Sequence, residues 1–291
     1  MNTHSEIHAL IQLLDDDDQE VFKHVHDKLK SMGPEAIPVL EEVWSADLNS
    51  TTHERLEEII HEIQFEALHN AWELWLEQDT PDLLTGAFLV AKYHYPDIKF
   101  QDLEAKVIKL KQTIWLELNY SQTPLEQIQI FNQVFYTYHG FKGSQSTSDF
   151  QDFCINQVVD SKKGSAIAVG ILYQVLANEL NLPVYGVTLI RHFILAFCKK
   201  TLFEFSEEEN NEREVMFYVN PINKGSIFSR NEIKDYLEKM NVATEPKYFI
   251  PANTLTIIQE MLNYLIELYG QQNRDDRVDE LKTLLELTGG Q

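Results

Sequence analysis

The sequence predicts an α+β fold in which helical segments flank a small antiparallel sheet. Apolar residues recur at helical spacing through residues 1–80 and again from residue 254 onwards. Between these regions, from Val184 onwards, short runs of β-branched and aromatic residues have the length of strands. The order of helices, strands and helices is typical of an α+β chain.

Four helices are predicted in the N-terminal region, at residues 7–14, 21–29, 36–44 and 52–76. The phrase LIQLLDDDDQEVFKHVHDKLKSMGPEAIPVLEEVW resembles a HEAT-type repeat, in which helices joined by a short turn form one unit. The acidic run at residues 15–18 lacks the spaced ligands and the glycine of a calcium loop. We interpret it as a solvated turn whose last aspartates cap the next helix.

The central region is predicted to begin with helices and to continue into a sheet. Helices are predicted at residues 83–94, 103–118, 124–138 and 149–159, and Gly164 opens a further apolar helix. The runs VYGVTL, HFILAF, LFEF and VMFYV are predicted strands, and the polar loop SEEENNER separates the last two. Further helices are predicted at residues 230–240, 254–269 and 275–287.

Composition excludes several classes of function. The 291 residues include 46 acidic and 24 basic side chains, a formal net charge of −22, which argues against binding to nucleic acid or to an anionic membrane and favours a basic partner. The only cysteines, Cys154 and Cys198, make neither a disulfide framework nor a four-ligand zinc site, and the scattered histidines suggest no metal. Without a signal peptide or a spanning apolar run, a cytoplasmic location is expected. No motif predicts a cofactor.

Three phrases in the central region carry a family resemblance. They are VVDSKKGSAIAVGILYQVLANELNLPVYGV, RHFILAF and YVNPINKGSIFS. Together they resemble the papain-related core of the transglutaminase-like superfamily, and specifically its bacterial SirB-type branch. The resemblance spans residues 83–287, including a helical pair that resembles a tetratricopeptide unit. The HEAT-like region at 1–80 lies outside it, and the rest of the chain is expected to form a transglutaminase-like core at 81–245 and a tetratricopeptide-like helical hairpin at 246–291.

The resemblance implies positions for a catalytic triad. Active members place a cysteine at a helix N-terminus, which lowers the thiol pKa, beside a histidine and an acidic residue on strands. In this chain the nucleophile position is Ala166, the general-base position is His192 and the acidic position is Asn220. A methyl group cannot attack a carbonyl, so cysteine chemistry is expected to be absent.

No other nucleophile is convincing. Cys198 faces the same side of the strand as His192 but lies about 20 Å along it, at ~3.3 Å per residue. Nothing in the sequence brings Cys154 to His192. Ser165 could reach an imidazole if the helix began one residue later, but a serine before a helix is more often its N-cap.

The remaining residues each have a structural interpretation beside the functional one. His192 is interpreted as a hydrogen-bonded imidazole in a groove inherited from an ancestral site. Arg191 could contact an acidic ligand at the rim or be solvated, and Gly164 could line the same groove. Asn220 followed by Pro221 ends a strand and begins a turn without requiring catalysis.

Two hypotheses about function follow. The first is a non-catalytic transglutaminase-like protein that binds a protein or peptide, with a basic partner preferred. The second is a cryptic hydrolase or amide-transfer enzyme that uses His192 and Asn220 with Ser165 or water. The arrangement around residue 166 should distinguish them, because a general base must lie within hydrogen-bond reach of the proton that it takes.

Overall fold

The structure is a computed structural model that describes residues 3–14, 18–44, 50–119, 121–144, 148–190, 192–199 and 214–290. The chain divides into two compact units, Met1–Leu74 and Trp75–Gln291. The three-part division expected from the sequence stays a prediction. The C-terminal helical pair lies within the second unit, together with the sheet.

The first unit is helical. Its elements are α1 (Thr3–Gln12), α2 (Gln19–Ser31), a 3-10 turn (Gly33–Ala36), α3 (Ile37–Trp44) and α4 (Ser50–Leu76), whose last residues belong to the second unit. Asp18 caps α2 by accepting a hydrogen bond of 2.8 Å from the backbone N–H of Glu20, which confirms the capping role predicted for the end of the acidic run. Residues 15–17 of that run lie outside the described residues. Apolar side chains from all four helices form one core, including Ile7, Leu14, Leu29, Leu40, Leu56 and Ile59.

The second unit begins with helices. They are α5 (Leu83–His94), α6 (Phe100–Glu117), α7 (Pro124–Asn132), a π-helix (Gln133–Tyr138), a 3-10 helix (Phe150–Phe153), α8 (Ile155–Ser161) and α9 (Ala166–Glu179). The helix predicted at 124–138 therefore has the predicted extent, but its last part is π-helical. Thr123 and Glu126 form a capping box at its start, which satisfies backbone N–H groups at the N-terminus of α7.

Two sheets follow these helices in the second unit. The short strands β1 (Lys142–Gly143) and β2 (Lys163–Gly164) pair in parallel. The larger sheet is antiparallel, in the order β3 (Val184–Leu189), β4 (His192–Cys198), β5 (Val215–Asn220) and β6 (Ser226–Phe228). Three predicted strands correspond to β3, β4 and β5. The fourth, LFEF at 202–205, lies outside the described residues. Strands β1, β2 and β6 were not predicted, because two or three residues are too few to show alternation.

The remaining helices follow the larger sheet in the chain. They are α10 (Arg230–Lys239), a 3-10 helix (Pro246–Tyr248), α11 (Thr254–Gln271) and α12 (Asp275–Leu287). Helices α9 and α11 cover one face, where a Cβ atom added at Gly186 of β3 would lie 2.9 Å from Ile257 of α11. Helix α10 covers the other face, where its Ile233 and Leu237 cluster with Ile194 of β4. This arrangement confirms the predicted α+β fold.

No helix within the described residues is long and apolar enough to cross a membrane.

Candidate functional site

Gly164 and Ser165 form the entry to α9, and both have structural roles there. A Cβ atom at Gly164 would lie 2.5 Å from Cγ2 of Val158, so only glycine fits without a shift. Ser165 is 3% exposed, and its hydroxyl oxygen accepts a hydrogen bond of 3.3 Å from the backbone N–H of Ala168. Ser165 is thus the N-cap of α9, which agrees with the structural interpretation of the sequence.

Ala166 is the first residue of α9 and is half-buried. A thiol at this position would benefit from the partial positive charge of the helix N-terminus, which lowers a cysteine pKa. The methyl group of Ala166 has no such chemistry. Residue 166 therefore lies at a helix N-terminus, and it carries no nucleophile.

His192 lies on the opposite face of the sheet from α9. Its neighbour Phe193 faces α9, since a Cβ atom at Gly170 would lie 2.5 Å from the Phe193 ring. Successive side chains of a strand point to opposite faces, so His192 faces α10. The ring contact agrees with this, because the His192 ring meets that of Tyr236 in α10 edge-on at 5.1 Å between centroids.

The imidazole of His192 is exposed at the start of β4. Partial desolvation lowers its pKa from the ordinary value, so the neutral form is favoured at pH 7. Among the described residues it makes no hydrogen bond. Tyr236 donates its hydroxyl proton elsewhere, to the carbonyl of Ile190 at 3.2 Å. His192 thus presents a neutral imidazole whose ring nitrogens remain available.

Asn220 uses its side-chain oxygen in its own turn. Oδ1 accepts hydrogen bonds from the backbone N–H groups of Ile222, at 3.0 Å, and Asn223, at 3.2 Å. This is an Asx-type turn, the non-catalytic interpretation of Asn220 followed by Pro221. No hydrogen bond between Asn220 and His192 exists within the described part of the chain. Asn220 therefore does not orient the imidazole as a triad carboxylate would.

His192 and Asn220 nevertheless line one cavity, of about 370 Å³. The other lining residues come from β3, β4, β6, α10 and the turn after β5: Leu189, Phe193, Ile194, Ile222, Ser226, Phe228, Glu232, Ile233 and Tyr236. Most of the wall is apolar. The carboxylate of Glu232 accepts hydrogen bonds from the backbone N–H and the hydroxyl of Ser229, which lower its pKa, so it is ionised at neutral pH.

The structure thus brings together part of the predicted site. His192 and Asn220 meet at the cavity, whereas Gly164, Ser165 and Ala166 are not among its lining residues. Arg191 lies outside the described residues. The assignment of these positions to a degenerate triad stays a prediction.

Sequence reasoning missed the lining residues of α10, among them the polar residues Tyr236 and Glu232. Their spacing from the apolar pair Ile233 and Leu237 would have placed them beside the buried stripe of an amphipathic helix. The side of the sheet that His192 faces was not predictable. After its first residue, HFILAFC is apolar at every position, so no alternation of polar and apolar residues distinguishes the two faces.

Both cysteines are buried, and neither is suited to act as a nucleophile. Burial, with a smaller contribution from the charge of Glu214, raises the pKa of Cys198 to about 12. Burial also raises the pKa of Cys154, whose thiol lies 3.4 Å from the carbonyl of Phe150. Cys198 shares the α10 face with Ile194, as the predicted parity required, but it does not line the His192 cavity. Neither thiol has the low pKa of a nucleophile.

No group of three histidine, cysteine, aspartate or glutamate side chains within the described ranges could hold a metal ion.

Comparison with known proteins adds a family match. The model of a family described as the transglutaminase-like superfamily matches residues 101–263. This range begins at the second residue of α6, contains α7 to α9, the whole of the larger sheet and α10, and ends within α11. It therefore includes each of the proposed triad positions.

Several curated proteins are similar to the chain at low identity. A UPF0162 protein of Vibrio cholerae is 24% identical over 160 residues, which are 55% of this chain and 54% of that protein. A UPF0162 protein of Xylella fastidiosa is 21% identical over 210 residues, 69% of this chain and 70% of that protein. F-box only protein 21 of Mus musculus is 22% identical over 257 residues, 79% of this chain and 39% of that protein. The chain thus covers about half of the Vibrio cholerae protein and less of the mouse protein. No solved structure gives a significant match.

Proposed function

The chain belongs to the transglutaminase-like superfamily, and from that premise we propose that it is a non-catalytic member which binds a peptide segment of a partner protein at the His192 cavity. The observation that carries the proposal is that Ala166 and His192, the predicted nucleophile and base positions, are associated with opposite faces of the sheet. Ala166 begins a helix on one face, and His192 contacts Tyr236 on the other. Cysteine-type catalysis needs the nucleophile and the imidazole within hydrogen-bond reach.

The composition of the cavity supports a peptide as its ligand. Apolar walls with a few polar groups are typical of sites that hold a side chain rather than a highly charged metabolite. Ser226 and Phe228 of β6 both line the cavity, and β6 has a strand partner on only one side among the described residues. An extended peptide paired with β6 would direct alternate side chains towards the cavity.

Charge supports a basic partner. The ionised carboxylate of Glu232 is the acidic group in the cavity wall, and the chain as a whole carries a formal net charge of −22. Complementary charge steers association and disfavours acidic competitors. We therefore propose a ligand segment that combines an apolar side chain with lysine or arginine.

We also propose a specific branch of the superfamily for this chain. The low-identity similarity to UPF0162 proteins supports a bacterial branch of the superfamily, for which we propose the SirB type. We also propose that the α1–α4 region is HEAT-like, that α11 and α12 form a tetratricopeptide-like pair, and that the protein acts in the cytoplasm.

A second candidate function is a hydrolase in which His192 activates water. The exposed, neutral imidazole of His192 favours this candidate, because a general base must be unprotonated and accessible. The version that uses Ser165 has less support, since its hydroxyl is buried and caps α9. The Asn220 oxygen, engaged in its own turn, does not orient the imidazole.

The two candidates are distinguished by measuring peptide binding and turnover, each with its own set of variants. Binding of an array of basic and apolar peptides is expected to weaken several-fold in Glu232→Gln, which removes the charge and retains an acceptor for the cap. Glu238→Gln is the matched control, because Glu238 is exposed on α10 and does not line the cavity. Equal binding by the wild type and Glu232→Gln would argue against the basic-peptide proposal.

Turnover is measured with a panel of acyl donors and activity-based probes on the wild type, His192→Ala and Ser165→Ala. The non-catalytic proposal expects no turnover in any of the three proteins. Turnover by the wild type that is lost in His192→Ala would establish the hydrolase instead. Loss in folded Ser165→Ala would assign the nucleophile to Ser165.

A further inference from the structure

A second cavity, separate from the His192 cavity, lies among α6, α8 and the end of the π-helix. Its volume is about 310 Å³. Its lining residues include three lysines and a histidine: Lys106, Lys109, Leu110, Thr113, His139, Val159, Asp160 and Lys162. We call it the lysine cavity. None of its residues lines the His192 cavity.

The charge of the lysine cavity is opposite to that of the chain. Three ammonium groups face one carboxylate, in a protein with a formal net charge of −22. Lys106 pairs with Asp160 at 2.6 Å, so one positive charge is compensated locally. Lys109 is exposed and has no ion-pair partner within the described residues. The cavity therefore carries an excess of positive charge that its own acidic residue does not neutralise.

Lys162 is held over the cavity by an uncommon backbone conformation. It is the C-cap of α8 with φ +61°, a left-handed value that is unusual for a residue with a long side chain. Its ammonium donates to the carbonyl of Val159 at 2.6 Å and lies 4.6 Å from the ring centroid of Phe141. Burial lowers its pKa, Asp160 partly offsets this effect, and the like charge of Lys106 lowers the pKa further. Lys106 and Lys162 thus both contribute positive charge to the cavity wall.

His139 supplies a polar atom that lacks a partner. Its Nε2 is buried and makes no hydrogen bond within the described part of the chain. Buried polar atoms are rarely left unpaired, because an unmade hydrogen bond costs free energy. Burial lowers the pKa of His139 and the charge of Lys162 lowers it further, so the imidazole is neutral and Nε2 can carry a proton to donate.

We propose that the lysine cavity binds a compact oxyanion of the phosphate type, as inorganic phosphate or as a phosphomonoester. Phosphate oxygens would accept hydrogen bonds from Lys109 and from Nε2 of His139, and the excess positive charge of the lining lysines would balance their negative charge. Lysine binds phosphate as a point charge, whereas planar carboxylates are typically bound by the fork of an arginine, and no arginine lines this cavity. The volume holds about ten waters at ~30 Å³ each, which is room for a phosphate and a small organic group.

The test is a titration of the full chain with inorganic phosphate and, separately, with O-phosphoserine. The ionic strength is held constant with sodium chloride, and the imidazole nitrogens of His139 are observed by NMR. The expected result is a saturable shift of His139 Nε2, with binding about tenfold weaker in Lys109→Gln, since one charge-assisted hydrogen bond is lost. Tighter binding of O-phosphoserine would identify an ester as the ligand, and equal binding would identify the free anion.

Lys282→Gln is the matched control, because it removes one positive charge from an exposed position of α12 that does not line the cavity. Its affinity for phosphate should equal that of the wild type. A His139 shift that is linear in phosphate and is reproduced by chloride would overturn the proposal. Equal weakening in Lys109→Gln and Lys282→Gln would also overturn it, because the effect would then be one of net charge only.

Discussion

The two faces of the β3–β6 sheet differ in how closely helices cover them. On the α9 face, the ring of Phe193 is 2% exposed and lies against two glycines, Gly170 and Gly186, where added Cβ atoms would be 2.5 and 2.4 Å from it. On the α10 face, the neighbouring residue His192 is exposed and lines a cavity of about 370 Å³. Helix α9, which begins at the predicted nucleophile position Ala166, is thus part of the packed core, and the open volume lies on the other face.

This difference teaches that two adjacent residues of one strand can have unrelated roles. Phe193 contributes to folding through close packing, and its replacement should be felt in stability. His192 contributes little packing and is available to a ligand. Phe193 is therefore a packed core residue on the α9 face, and His192 is an exposed residue at the cavity on the α10 face.

The largest expected effect comes from comparing Phe193→Ala with His192→Ala. Truncation of Phe193 should lower the free energy of unfolding by about 3–5 kcal/mol, because it leaves a cavity between α9 and the sheet. Truncation of His192 should cost less than about 1 kcal/mol, since only its edge contact with Tyr236 is lost. Urea unfolding measures both values. Similar losses in the two variants would contradict the assignment of the faces.

The second comparison uses glycines that differ in the space around them. Gly170→Ala would place a methyl group against Phe193, and overpacking should lower the free energy of unfolding by about 1–3 kcal/mol, offset in part by the better helix propensity of alanine. Gly270→Ala in α11 is the control, with no atom within 4 Å of the added Cβ. It should be neutral or stabilising by up to about 1 kcal/mol. A stabilising Gly170→Ala would show that this face has spare room.

A third comparison sets the half-buried His94, in the helix α5 that packs on α9, against the exposed His192. Burial, reinforced by the positive charge of Arg277, lowers the pKa of His94 from 6.5 to about 3. Its ring stacks on Phe150 at 4.3 Å, and Nδ1 lies 3.3 Å from the hydroxyl of Tyr269. Between pH 6.5 and pH 3 the unfolded state therefore binds more protons than the folded state does. The free energy of unfolding falls as the pH falls through this window.

His94→Gln should reduce that acid sensitivity. Between pH 6.5 and 4.5 the loss of stability should be smaller than in the wild type by roughly 1 kcal/mol per pH unit. Thermal or urea unfolding at several pH values measures the slope. His192→Gln is the control and should change the slope less, because His192 is exposed. An unchanged slope in His94→Gln would mean that His94 is protonated in the folded protein.

The smallest expected effect is the most direct test of the separated triad. Ala166→Cys restores a thiol at the N-terminus of α9, where the helix should lower its pKa and speed its reaction with iodoacetamide. Because His192 lies on the other face of the sheet, adding His192→Ala should leave that rate unchanged within about twofold. Mass spectrometry identifies the labelled cysteine beside the buried Cys154 and Cys198. A large fall in rate would show that the imidazole reaches position 166.

Local features of the fold were predictable from the sequence. Helices α5 and α12 have the predicted bounds, 83–94 and 275–287, because apolar periodicity and flanking turn residues define both ends. Asp18 and Ser165 were predictable as N-caps, because aspartate and serine side chains accept hydrogen bonds from backbone N–H groups in the first turn of the helix that follows them. The absence of a nucleophile at Ala166 is a property of the sequence alone.

The sequence by itself determined the α+β class, the helical segments and the identities of the residues at the triad positions, because these depend on local periodicity and residue type. Only the tertiary structure decided which face of the sheet each side chain occupies. A strand that is apolar at both parities has no alternation to reveal its faces, so the direction of His192 depends on how Phe193 packs against α9. The lysine cavity likewise depends on tertiary structure, since Lys106, His139 and Lys162 are far apart in sequence and meet only when α6 and α8 pack together.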